Sequence, residues 1–160
     1  MKKFKNHTIT EYLEALSRRE PVPGGGSASA LTGALGAGLL GMVAGYSIGK
    51  GKPARVEKKL NKILSDSEKI RNRFLELVDL DAEAYLGVVA AKKKSAKEKQ
   101  KAERVAKAVM VETCRLCYRS ISLAGYLAQN GNKYLIADVE VAGELLAAAY
   151  NGAKALSREQ

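Results

Sequence analysis

The chain has 160 residues, enough for one domain that buries most of its apolar surface without disulfide or metal staples. Its 27 Lys and Arg against 17 Asp and Glu give a net charge of +10, which favours anionic partners. Only 6% of residues are aromatic, with no zinc-finger ligands and no RRM-type motif, so nucleic acid fits less well than a small polyanion.

In chain order, Met1 to His7 holds no apolar run of the kind that marks a secretory signal, and a cytoplasmic protein is expected. Thr8-Ile9-Thr10-Glu11 has the capping-box spacing, and Ile9, Leu13 and Leu16 follow at helical intervals, predicting a short helix over 8–18. His7, alone, is expected to be a surface side chain.

Pro21-Val22-Pro23-Gly24-Gly25-Gly26-Ser27 comes next, where two prolines stiffen the approach to three glycines that can take positive φ and let backbone N–H groups approach a ligand. Ser27 or Ser29 suits the cap of the following helix, and such a helix start is a natural place for an anionic group, although a plain connecting turn has the same composition. Uncharged residues then run to Gly49, the length of a membrane span. The glycines at 33, 36, 38, 41 and 45 dilute it, and a tightly packed soluble helix over 27–48 is the better reading.

Gly49 to Pro53 closes that helix, and from Ala54 an apolar stripe through Leu60, Ile63, Leu64, Phe74, Leu77 and Tyr85 predicts one long helix to about residue 91. The lysine-rich residues 92–97 read as a loop. A second long helix runs to Asn130, with Gly131 where a C-terminal cap belongs, and a last helix covers about 139–156. Cys114 and Cys117 are three apart on the second long helix; buried free thiols suit them better than a redox pair, and with one histidine in the chain no zinc site can be completed. No segment alternates with period two, so the fold expected is all-α: an antiparallel bundle of about five helices, two or three of them long, around a Gly/Ala-rich central helix, in a single domain over 1–160.

Three blocks go beyond composition. The Pro-Val-Pro-Gly-Gly-Gly-Ser turn with the glycine-rich helix behind it, Leu77-Val-Asp79-Leu-Asp81-Ala-Glu-Ala-Tyr85, and Gly131-Asn132 with Asp138 occur in the order in which they stand in the formiminotetrahydrofolate cyclodeaminase and methenyltetrahydrofolate cyclohydrolase family, which the chain resembles from about residue 12 to 155. The resemblance implies an all-helical homodimer, cytoplasmic and without membrane attachment, acting on a reduced folate whose glutamate or polyglutamate tail suits a positive surface, with no tightly bound cofactor and no metal. It implies one of two reactions: closure of 5-formiminotetrahydrofolate with loss of ammonia, or hydrolysis of 5,10-methenyltetrahydrofolate. Both pass through a tetrahedral carbon between two nitrogens, and a carboxylate of tuned pKa can move the protons.

Carried over residue by residue, the resemblance makes Asp138 the principal acid/base, although aspartate there also suits a helix N-cap. Asp79 and Asp81 point to different helix faces; Asp81, on the apolar stripe, is expected in the site, with a buried salt bridge as its structural alternative. Lys50 matches a basic position and would neutralise a substrate carboxylate or assist proton transfer, unless it serves only as a cation at a helix C-terminus. Pro23, Gly24, Gly25, Gly26, Ser27 and Lys93 are the expected binding residues. Two departures stand out: no proline stiffens the 93–97 loop, and Leu156 stands where the family has an asparagine, which leaves room for a non-catalytic folate-binding homologue.

Overall fold

The computed structural model describes residues 3–158, and all regular structure among them is helical. Helix α1 spans Ile9–Ser17 and starts with the expected reciprocal cap: Glu11 N–H donates to Thr8 Oγ1 at 3.2 Å and Thr8 N–H donates to the Glu11 carboxylate at 2.7 Å. Its inward face is not the expected one. Ile9 and Leu13 are 82% and 55% exposed, and Tyr12 is buried instead, its ring edge-on to Phe4. A tyrosine wins because it buries a ring and also finds a hydrogen-bond partner inside. His7 also packs edge-on to Phe4, at 5.3 Å between centroids, so it is half-buried and not a free surface side chain.

Helix α2 spans Gly25–Ser47, beginning two residues earlier than expected. Gly24 is the N-cap in extended conformation, and neither Ser27 nor Ser29 caps; Ser29 donates back to the Gly25 carbonyl at 2.8 Å. Among the described residues, left-handed φ occurs only at Gly49 and Gly51, past the far end of the helix. The triple glycine therefore supplies room and not a left-handed turn. The Val22–Pro23 bond is cis.

Helix α3 spans Ala54–Ala91 and α4 spans Ala96–Asn130. The chain reverses over residues 92–95, and Ser95 opens α4 with a second capping box closed by Glu98. Constant antiparallel register between the two is marked by Lys59 over the Tyr126 ring, Asp66 with Arg119 and Arg73 with Glu112. Cys114 and Cys117 are free, and burial pushes the Cys117 thiol up to about 12.

A 3₁₀ turn at Lys133–Leu135, capped by Asn132, leads into α5, Ile136–Arg158. That helix starts three residues before the expected boundary, so Asp138 lies in its first turn and is not its cap. Asn132 N–H donates to Ser47 Oγ at 2.8 Å, tying the start of this connection to the end of α2.

Helix α2 is the centre of the bundle, antiparallel to α3 and α5. Closeness explains its glycines: an added Cβ at Gly33 would come within 2.6 Å of the Phe74 ring, and at Gly36 within 2.7 Å of Leu146. By length and composition α2 could cross a membrane. Here α3, α4 and α5 pack against it, leaving one outer face on which Leu35, Met42 and Tyr46 are exposed.

Candidate functional site

The first turn of any helix leaves backbone N–H groups without partners inside the helix, and Gly24 has no side chain to serve those of α2. Asp81 reaches over from α3 to this turn, its carboxylate lying over Gly26, and the Ser27 N–H favours its charged form. The approach is possible only over a glycine, since a Cβ on Gly26 would sit 2.5 Å from the Asp81 Cγ.

Two effects oppose each other at this carboxyl. Burial disfavours the charged form, whereas the Ser27 N–H favours it, and burial wins: the Asp81 carboxyl is pushed above its ordinary range. No lysine, arginine or histidine among the described residues forms an ion pair with it. An acid that holds its proton to higher pH and has no cationic partner is suited to giving and taking protons.

Asp81 opens into a cavity of about 390 Å³, lined also by Pro21, Val22, Gly24, Gly25, Gly26, Tyr85 and Leu156. Tyr85 follows Asp81 by one helical turn and is 42% exposed, offering a flat wall with a polar tip. Leu156 comes from the last turn of α5 and lies 3.5 Å from where a Cβ on Gly25 would be. The position at which the family resemblance leads one to expect an asparagine therefore faces the cavity. A larger hollow of about 450 Å³ lies further along the α3–α4 hairpin, between Ala84, Gly87 and Ala91 on one side and Ala102 and Val105 on the other. It contains neither Asp81 nor any residue of the glycine turn, so the smaller cavity is the candidate.

Behind the turn lies a residue that the sequence reading passed over. Tyr12 is 5% exposed and its hydroxyl is 2.9 Å from Ser27 Oγ. Burial, and the charge of Asp81 nearby, hold the Tyr12 phenol above its usual range against the opposing effect of the Ser27 bond. The available signal was an aromatic residue with a polar tip one turn into the helix that precedes the glycines, but the periodicity was carried by Ile9, Leu13 and Leu16.

The expected site residues do not all meet within one chain. Gly24, Gly25, Gly26 and Asp81 line the cavity, while Pro23 and Ser27 are buried behind it. Of the two neighbouring aspartates it is Asp81 that faces the turn; Asp79 is buried on another side of α3, near Lys5 and Arg73, with Oδ2 unpartnered among the described residues. Lys93 is exposed at the hairpin turn, twelve residues beyond Asp81, about 18 Å along the helix direction. Lys50 is exposed beyond the opposite end of α2, a helix about 34 Å long. Asp138 stands at the start of α5 and Leu156 at its end, about 27 Å apart.

Comparison with known proteins gives a consistent result. The model of the Formiminotransferase-cyclodeaminase family matches residues 8–157. A methenyltetrahydrofolate cyclohydrolase of Methylorubrum extorquens is 37% identical over 147 residues, 86% of this chain and 71% of that protein. A formimidoyltransferase-cyclodeaminase of Rattus norvegicus is 26% identical over 91% of this chain, which spans only 29% of that longer protein. The crystal structure of a formiminotetrahydrofolate cyclodeaminase from Thermotoga maritima superposes with a TM-score of 0.93 at 28% identity, covering 97% of this chain and 80% of that one.

Proposed function

The chain belongs to the formiminotransferase-cyclodeaminase family, and from that premise we propose that it is a cytoplasmic folate one-carbon enzyme whose protons move through Asp81. The observation that carries the site is the Asp81 carboxyl: half-buried at the helix start beside the Ser27 N–H, without an ion-pair partner among the described residues, and open to a cavity. The relative at 37% identity, matched over most of its length, favours hydrolysis of 5,10-methenyltetrahydrofolate over cyclodeamination.

In that reaction water adds to the bridging carbon as Asp81 takes its proton, forming a tetrahedral carbon that bears a hydroxyl. The same carboxyl then returns a proton to N5 as the N5–carbon bond breaks, and loss of the hydroxyl proton leaves the formyl group on N10. Tyr85 supplies a wall for the pterin ring, and the basic α3–α4 turn, Lys93 included, suits the glutamate tail. The chemistry needs only carboxyl and water, with no tightly bound cofactor.

A homodimer completes this reading. The outer face of α2 carries Leu31, Leu35, Gly38, Met42, Gly45 and Tyr46 without a charge, and nothing lies within 4 Å of a Cβ placed on Gly45. A second copy docked antiparallel there sets one subunit's Lys50 end beside the other's glycine turn. Asp138 and Lys50, too distant to act on Asp81's cavity in their own subunit, act across such an interface. Mixing inactive Asp81→Asn and Asp138→Asn proteins tests this: shared sites return activity to about a quarter of wild type, because half the dimers are mixed and each holds one intact site. Mixtures that stay inactive overturn the shared site, and an Asp138→Asn protein that is fully active by itself removes Asp138 from the reaction.

The decisive assay follows loss of the methenyl chromophore on incubation with 5,10-methenyltetrahydrofolate, and gain of the same chromophore from 5-formiminotetrahydrofolate. Acceleration of the first alone supports the hydrolase, and of the second alone the cyclodeaminase. No acceleration of either by a well-folded protein overturns the enzyme reading. Binding of tetrahydrofolate by calorimetry would then identify the non-catalytic homologue that Leu156 leaves room for.

A further inference from the structure

We propose that a groove along α3 binds a free α-amino acid with an apolar side chain, its ammonium group at Asp79 and Glu83 and its carboxylate at Lys3 and Lys5. The site is independent of the reaction at Asp81. Two positions on a helix are about 200° of rotation, so Asp79 opens away from the folate cavity.

Spacings of three and four residues set Glu76, Asp79 and Glu83 on one face of α3, where with Lys3, Lys5 and Arg73 they line a cavity of about 280 Å³. Arg73 is already engaged, by Glu112 at 2.6 and 2.9 Å and by Glu76 at 2.6 Å. Asp79, Glu83, Lys3 and Lys5 form no ion pair among the described residues, so two carboxylates and two ammonium groups stand unpaired around one hollow. Asp79 is the anchor. It is 6% exposed, and its Oδ2 has no hydrogen-bond partner among the described residues. A buried carboxylate left in that state is costly, and the cavity is where a compensating donor can enter.

An apolar space adjoins it. Leu80 and Glu83 also line the hollow of about 450 Å³ in the α3–α4 hairpin, so the two volumes meet at these residues. One turn past Glu83, a Cβ on Gly87 would find nothing within 4 Å, and Ala84, Ala91 and Ala102 keep the neighbouring walls low. That turn rises about 5.4 Å, within reach of a leucine or phenylalanine side chain whose ammonium sits at Glu83. At the far end stand Lys101 and Lys94, the latter 3.7 Å from Glu98, so the unpaired acids lie at the Asp79 end. A bare cation would meet Lys3 and Lys5, and a bare anion would meet Asp79 and Glu83. A zwitterion satisfies both, and the adjoining hollow selects for an apolar side chain.

The test is titration of the whole chain with L-leucine and L-phenylalanine, followed by calorimetry and by the amide NMR shifts of Asp79 and Gly87. Saturable binding with a Kd of about 1 mM or tighter is expected. Three probes each remove one feature: 4-methylpentanoate lacks the amine, L-leucinamide the carboxylate and glycine the side chain. Each should bind about tenfold more weakly than leucine, or weaker still. Asp79→Asn and Lys5→Met should weaken leucine by a similar factor, and Gly87→Leu, which fills the groove, should exclude it while helix content is kept. No saturable shift at about 10 mM of either amino acid overturns the inference. So does a single-feature probe that binds as well as leucine, or wild-type affinity in Asp79→Asn. Should that variant fail to fold, wild-type affinity in Lys5→Met or Gly87→Leu overturns it equally.

Discussion

Asp66 and Asp81 lie on the same helix about 22 Å apart and have opposite fates. At mid-helix, Asp66 is 8% exposed, with Lys62 Nζ at 3.3 Å and Arg119 Nη2 at 3.4 Å. Burial alone would raise its pKa, but the two cations overcome burial and hold it below the ordinary carboxylate range. At the glycine turn Asp81 has one backbone donor and no cation, and burial prevails. Of the chain's 27 basic residues, none among those described forms an ion pair with this carboxyl. The paired aspartate is part of the scaffold; the unpaired one carries a cost that suits a reaction site.

The comparison is tested most sharply at Asp81 itself. Asp81→Asn should lower turnover by about 10²–10⁴-fold, the range for loss of a positioned acid/base. It should also stabilise the fold at neutral pH. A carboxyl whose folded pKa is raised contributes stability that is full below its unfolded pKa, near about 3.9, and lost as pH rises through the folded value. Asparagine has no such loss and can still accept from Ser27. Melting at pH 8 should therefore favour the variant, with the difference closing at low pH; a variant that melts lower at pH 8 would place Asp81 with the scaffold.

Gly26→Ala comes next in size, because its methyl group would occupy the space of the carboxylate. An overpacking cost of about 1–3 kcal/mol in denaturant melts is expected, together with loss of most activity. Unchanged activity would show that Asp81 need not sit over the turn.

Asp66→Asn should be milder, costing about 1 kcal/mol at pH 7 and leaving kcat untouched. Its sign with pH is opposite. A depressed folded pKa contributes stability that is present above the unfolded pKa and lost as pH falls through the folded value, so the penalty should fade under acid. A penalty that persists at low pH would mean that Asp66 works by packing and not by charge.

Smallest is Leu156→Asn, which puts an amide into the cavity wall. We expect KM for the folate to fall a few-fold, by about one neutral hydrogen bond, with little change in kcat. A KM that rises would make Leu156 a packing surface for this chain's own ligand.

Helix placement was legible because it is local. Capping at Thr8, the stripe from Leu60 to Tyr85 and the stop at Gly131 each depend on neighbours within a turn or two, and α3 and α4 fall where periodicity puts them. The shift of α5 to Ile136 was not legible, since its leading 3₁₀ turn is tied to Ser47, 85 residues away in sequence. The candidate site was readable only in part. The glycine turn and Asp81 stood out as motifs, whereas Tyr12 and Leu156 enter it through helix rotation and chain reversal.

What the amino-acid sequence determined by itself is therefore an all-helical chain of this family, its helix order and the residue types worth suspecting. Periodicity and caps are short-range properties, and the motif blocks survive in linear order. Only the tertiary structure decided what the glycines are for, which aspartate stands unpaired, and that Asp138 and Lys50 lie at the far end from Asp81. Those facts depend on which side chains from different helices come within a few ångströms of one another, and a carboxyl's proton affinity is set by that neighbourhood.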